Sequence, residues 1–185
     1  IAETYFRAHK YFNNFKIIKC ADINKNAANK CAKINKIKAV SIKELLIDKN
    51  IDIILNLTIP AAHYTVAKRS LTFGKHVYSE KPLAINFKDG KKLIQLAKKK
   101  KLYLGNAPDT FLGGGMQKSR ALLDKKIIGK VIFGNAIFAY PGIQSYHPNP
   151  ESWFAKKGGG PVIDMGPYYL TALVNLLGPA KEVLS

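Results

Sequence analysis

Cysteine is scarce in this chain. Cys20 and Cys31 are the two among 185 residues, and they fit neither a disulfide framework nor a zinc site. A reducing, cytoplasmic setting is therefore the expectation. Acid is scarce as well: 12 Asp and Glu stand against 30 Lys and Arg, for a net charge of +18. Such an excess invites a nucleic-acid reading, but arginine is scarce too, with Arg7, Arg69 and Arg120 the three present. Arginine's planar fork is the favoured reader of phosphates and bases. The lysines are spread over expected helix surfaces, and the tight run Lys98–Lys101 ends a helix, where the dipole favours cations. Residues 131–150 hold no charged side chain of the Lys, Arg, Asp or Glu types. The expectation is no nucleic-acid partner. No apolar run approaches the roughly 20 residues that cross a bilayer, and Ile1-Ala2-Glu3-Thr4-Tyr5 has no signal-peptide pattern, so no membrane partner is expected either.

What is present is a composition able to bury a core, 47% hydrophobic and 10% aromatic. Residues 1–12 read as an amphipathic helix. Phe15–Ala21 reads as a buried strand, 24–33 as a short helix, and Lys38–Val40 as a short strand. Ser41-Ile42-Lys43-Glu44 has the spacing of a capping box. Ile51–Leu57 is almost wholly apolar, as a strand covered on both faces is. Pro60 opens a helix that Gly74 ends. His76–Ser79 reads as a strand, Asn86 caps a further helix, and Leu102–Leu104 is the next strand. Short apolar strands alternating with helices predict an α/β fold, a doubly wound parallel sheet of the Rossmann type. The pattern changes near residue 108. A helix is expected over about 115–127, a longer strand over Val131–Ala139, a helix over about 162–177, and the start of a strand at Glu182–Leu184.

Four places carry chemistry. Asp22 follows the expected strand Phe15–Ala21; at the end of the second strand of a dinucleotide-binding unit, an acid accepts hydrogen bonds from adenosine ribose hydroxyls, and the same residue type also caps helices. An acid in that role lies about 20 residues past a G-x-G-x-x-G turn. Counting back reaches Ile1, and no such turn occurs within the sequence. The first strand and its glycine loop would then lie upstream. Thr58-Ile59-Pro60-Ala61-Ala62-His63 sits where a strand gives way to a helix, the edge at which parallel sheets bind ligands, although Thr58 also suits a plain helix cap. Glu80-Lys81-Pro82 follows the strand HVYS, and an ammonium there can stabilise a developing alkoxide; a lysine is otherwise a surface residue. In Gly158-Gly159-Gly160-Pro161-Val162-Ile163-Asp164-Met165-Gly166-Pro167-Tyr168, the acid and the phenol are four apart and share one helix face. They can hold a substrate hydroxyl and its proton, or simply begin a helix with a core tyrosine.

In this order, Ala21-Asp22-Ile23-Asn24, Thr58-x-Pro60-x-x-His63, Glu80-Lys81-Pro82 and GGGPVIDMGPYY at 158–169 resemble the glucose–fructose oxidoreductase / inositol dehydrogenase family (Gfo/Idh/MocA) over essentially the whole chain. The resemblance implies an NAD(P)-binding Rossmann domain, at 1–108, and the start of a substrate and oligomerisation domain with an open, mainly antiparallel sheet, at 109–185. It implies hydride transfer between a nicotinamide and a hydroxyl-bearing carbon of a sugar, inositol or related polyol. Asp22, Thr58, Ile59, Pro60, His63, Glu80 and Lys81 would bind the cofactor. Lys81, Asp164 and Tyr168 would be catalytic, and with His147 would bind substrate. No metal is implied. Asp22 favours NAD, because a carboxylate repels a 2′-phosphate; Lys25 nearby leaves room for NADP.

Two departures stand out. Tyr168 occupies the place of a family histidine, and with a reference pKa near 10 it would need a neighbour such as Lys81 to act as a base near neutrality. Asp109 stands where many members carry a basic residue, which alters the substrate expected. The sequence thus reads as a piece of a longer, homo-oligomeric dehydrogenase, weak in cofactor binding by itself. The alternative is a binding or regulatory module that keeps the fold without catalysis.

Overall fold

The computed structural model describes residues 1–143, 154, 156 and 159–184. Helix α1, Ala2–Ala8, continues as a 3-10 turn, His9–Tyr11. Strand β1, Lys19–Cys20, pairs in parallel with β2, Lys38–Ala39, in the register Lys19↔Lys38 and Cys20↔Ala39. Between them runs α2, Lys25–Asn35. Asn24 Oδ1 starts it by accepting the N–H groups of Asn26 and Ala27, at 3.0 and 3.2 Å. Helix α3, Ile42–Ile47, carries the full capping box: Glu44 N donates to Ser41 Oγ and Ser41 N donates to Glu44 Oε2.

A second sheet has the order β3-β4-β5, formed by Ile53–Asn56, His76–Ser79 and Leu104–Asn106. Helices α4, Pro60–Thr72, and α5, Phe87–Lys100, connect its strands. A short parallel strand pair needs a crossover helix to return the chain, and the alternation of elements supplies one each time. The result is an α/β fold with parallel sheets of Rossmann type. Gly105 sits where β5 passes the ring of Tyr78: a Cβ there would meet Tyr78 Cδ2 at 2.7 Å.

The backbone contacts divide the chain into two compact units. The first comprises Ile1–Leu57, Thr65–Tyr78 and Lys91–Gly105; the second comprises Thr58–Tyr64, Ser79–Gly90 and Asn106–Ser185. In the first, Leu46, Ile51 and Ile54 form a buried cluster with Leu45 against it. The buried Lys75 ammonium donates to the carbonyls of Asp48 and Ile51, at 2.5 and 2.7 Å. The charge is thus held by backbone dipoles rather than left unpaired.

The second unit adds a 3-10 turn, Thr110–Leu112, α6, Gly114–Asp124, and α7, Pro161–Leu177. Gly160 precedes α7 with φ +86°, a left-handed conformation that favours glycine. Arg120 of α6 donates to the carbonyls of Asn175 and Leu176 in the last turn of α7, which otherwise lack helical partners. The strands expected at Val131–Ala139 and Glu182–Leu184 are not formed: among the described residues no strand follows Asn106. Alternating apolar residues permit a strand, but a ladder needs a partner edge. Without one, Ile132 and Phe133 stay 92% and 79% exposed. The antiparallel sheet expected of the second domain is therefore absent from the described residues.

Candidate active site

The site is assembled within the second unit, from the carboxyl end of β4 and the first turns of α7. Strand β4 ends at the buried Ser79, so the chain turns out of the sheet at Glu80-Lys81-Pro82. Asn106, at the end of β5, holds that turn. Its Nδ2 donates to the carbonyls of Ser79 and Glu80, at 2.8 and 3.0 Å. Glu80 Oε2 in turn accepts the N–H of Lys81 at 3.1 Å.

The Lys81 ammonium then crosses 83 positions of sequence to reach α7. It forms an ion pair with Asp164 Oδ1 and donates to the Asp164 carbonyl at 2.6 Å. Both side chains are only 14% exposed, a setting in which water screens the pair weakly. The same nitrogen lies 5.0 Å from the centre of the Tyr168 ring, within cation–π range. The three groups singled out in the sequence therefore converge, and the four-residue spacing of Asp164 and Tyr168 puts both against one lysine.

The electrostatics around Tyr168 differ from the expectation. Burial, then the carboxylates of Glu80, Asp164 and Asp109, push its phenol above the ordinary value of 10.0. Lys81 lies over the ring face while its charge is taken up by Asp164. Tyr168 is thus a protonated phenol near neutrality, able to donate a hydrogen bond. Asp109, which precedes the 3-10 turn, is one of the three acids acting on it. Sequence reasoning placed Asp109 in the region but not beside Tyr168. It did not single out Asn106 as the residue holding the lysine turn; its position at a strand's carboxyl end was the available signal.

The remaining candidates lie as follows. Thr58, Ile59 and Pro60 are at the exit of β3, with Ile59 58% exposed. His63, in the first turn of α4, is 1% exposed. Its Nδ1 lies 2.6 Å from the Pro82 carbonyl oxygen and its Nε2 2.8 Å from that of Thr58. Its nitrogens thus face the protein's own backbone. His147 lies outside the described residues. In the first unit, Asp22 follows β1, and its Oδ1 accepts the N–H of Asn24 at 2.8 Å. Asn24 rather than Asp22 caps α2. A carboxylate accepts several hydrogen bonds, so Asp22 retains capacity for the hydroxyls of a ribose. That donor–acceptor chemistry fits the adenosine end of a dinucleotide.

Comparison with known proteins gives the following. Residues 1–107 match the family model described as the Gfo/Idh/MocA oxidoreductase family, NAD-binding Rossmann fold, and residues 116–185 match the model of the C-terminal domain. The trans-1,2-dihydrobenzene-1,2-diol dehydrogenase of Xenopus tropicalis is 35% identical over 138 residues, covering 73% of this chain and 41% of the relative. The D-xylose dehydrogenase of Paenarthrobacter nicotinovorans is 27% identical over 143 residues, covering 74% and 36%. Among solved structures, the WlbA dehydrogenase of Bordetella pertussis, in complex with NADH and UDP-GlcNAcA, superposes with a TM-score of 0.82 at 18% identity, over 97% of this chain and 53% of that one. The chain spans about two fifths of the length of these curated relatives and about half of that structure.

Proposed function

We propose, for a chain that belongs to the Gfo/Idh/MocA oxidoreductase family and carries its NAD-binding Rossmann domain, that the whole protein is a dehydrogenase acting on a hydroxyl-bearing carbon of a sugar, inositol or related polyol. In this reading residues 1–108 serve the nucleotide and 109–185 the substrate. The observation that carries it is the convergence of Lys81, Asp164 and Tyr168. The named activities of the diol and xylose dehydrogenases are of the same chemical class.

When bound, the nicotinamide supplies or accepts the hydride. The protein's residues manage the oxygen. The Lys81 ammonium donates to it and stabilises the negative charge that develops there. Asp164 fixes that ammonium through two oxygens. Tyr168, kept protonated by its surroundings, is the second donor and, in the direction that reduces a carbonyl, the proton source, leaving a phenolate that water reprotonates; in the reverse direction water first takes the phenol proton and the phenolate then accepts the proton of the substrate hydroxyl. Asp22 binds the ribose hydroxyls, favouring NAD, and Thr58, Ile59, Pro60 and Glu80 line the nicotinamide side. The reading carries with it a cytoplasmic setting, which suits the two unpaired cysteines, and a homo-oligomeric whole protein.

In the full-length protein, Lys81→Ala should lower turnover by about 100-fold or more, the usual loss for one preorganised donor, while the Kd for NAD stays within about threefold. Turnover near that of the wild type would remove Lys81 from the chemistry.

A further inference from the structure

His63 is among the most buried side chains of the protein, and the mechanism above does not use it. Both ring nitrogens are occupied by carbonyl oxygens, of Pro82 at 2.6 Å and Thr58 at 2.8 Å. A carbonyl oxygen only accepts, so the donor in each contact is a ring N–H: a neutral ring carries one and donates to one carbonyl, and the imidazolium donates to both. The two oxygens belong to the segments that leave β3 and β4, neighbouring strands of one sheet. Pro82 directly follows Lys81. Asn106 Nδ2 grips the same turn from the other end, through the carbonyls of Ser79 and Glu80. The residue that presents the ammonium therefore lies between two side-chain clamps, one before it and one after it.

We infer that His63 is a positioning residue for Lys81: its imidazole ties the Thr58 and Pro82 carbonyls together and so fixes the turn from which the Lys81 ammonium reaches Asp164 and Tyr168. The importance of that ammonium for turnover rests on the function proposed above; the clamp itself does not. An apolar side chain at position 63 removes the ring donor from these carbonyls and with it the link between the two segments. The turn then moves towards water to satisfy them, and Lys81 moves with it.

The test measures the reactivity of Lys81 in this chain by brief acylation with a succinimidyl ester and peptide mass spectrometry. Lys75 is the internal reference, because its ammonium is buried in the first unit. In His63→Leu, Lys81 labelling should rise by up to about tenfold, the range set by one lost hydrogen bond, with Lys75 unchanged. His63→Gln, whose amide nitrogen keeps two N–H donors, should restore most of the protection. Unchanged Lys81 labelling in His63→Leu would overturn the inference. So would equal gains at Lys75 in both variants, since His63 would then support the fold as a whole, and so would a Gln variant as reactive as Leu. In the full-length enzyme, His63→Leu should lower kcat while the Kd for NAD holds. If Lys81 is released but kcat is unchanged, the clamp stands and the reading of Lys81 as the catalytic donor fails.

Discussion

A phenol beside a lysine reads, in a sequence, as an activated base. The surroundings of Tyr168 reverse that reading. Burial comes first among the causes, and Glu80, Asp164 and Asp109 follow, all raising its pKa above 10.0. The folded value is higher than the unfolded one, so the stability linked to this proton is complete below about pH 10 and lost as pH rises through the folded value. Phenolate absorbance, taken as the difference between wild type and Tyr168→Phe, should therefore titrate with a midpoint above 10. Asp109→Asn removes one of the three raising charges and should lower that midpoint; a midpoint that stays put would separate Asp109 from the phenol. Cys20 is a second residue whose environment, not identity, sets its chemistry. Burial, then the neighbouring Cys31 thiol, pushes its pKa to about 11. Only the thiolate is nucleophilic, so iodoacetamide at pH 8 should alkylate Cys20 at least about tenfold more slowly than an unperturbed thiol. Cys31→Ser should narrow the gap, and equal rates in wild type and in a free thiol would contradict the assignment.

Among the elements, helices were legible where a polar residue stands at the right offset from an apolar stripe. Ser41 and Glu44 are the clearest case, and both hydrogen bonds of the capping box are formed. Ser41→Ala should cost about 1 kcal/mol, read as a lower urea midpoint with an unchanged slope. Strands were legible where sheet partners exist: His76–Ser79 forms between β3 and β5 with the bounds its residues suggest. The apolar stretch Val131–Ala139 has as good a pattern but no partner edge among the described residues, and pattern alone does not specify pairing. The strand expected at Leu102–Leu104 forms two residues later, at Leu104–Asn106. That shift brings Asn106 to the strand end, where it grips the lysine turn. The candidate site was legible because Lys81 lies just past the end of β4 and because Asp164 and Tyr168, four residues apart, share one face of α7. His63 was not legible as a clamp, since a histidine at a helix start looks the same whether its ring meets a ligand or two backbone carbonyls.

At the scale of the whole molecule, 30 basic residues face 12 acids, and self-repulsion of this size weakens compact states. Two of those acids do local work. The carboxylates of Glu44 and Asp48 are held below their ordinary values of 4.5 and 3.8, Glu44 chiefly by the hydrogen bonds to Ser41 and Asp48 chiefly by Lys19. Their contribution is present above those values and lost as pH falls through the lower, folded ones. The same acidification discharges the other carboxylates and leaves the basic excess uncompensated. The two effects respond oppositely to salt. Salt weakens the half-buried Lys19–Asp48 pair, yet it also screens the net repulsion, whose range is about 10 Å at 0.1 M ionic strength. We expect repulsion to dominate, because it sums over the whole charge excess while the pair is a single interaction. Raising the salt concentration should therefore move the acid unfolding transition to lower pH. Asp48→Asn should flatten the pH dependence between about pH 5 and 3 while leaving that salt shift in place. Circular dichroism across a pH series at two ionic strengths decides the matter: a transition that salt moves to higher pH would assign acid lability to the local pairs, not to the charge excess.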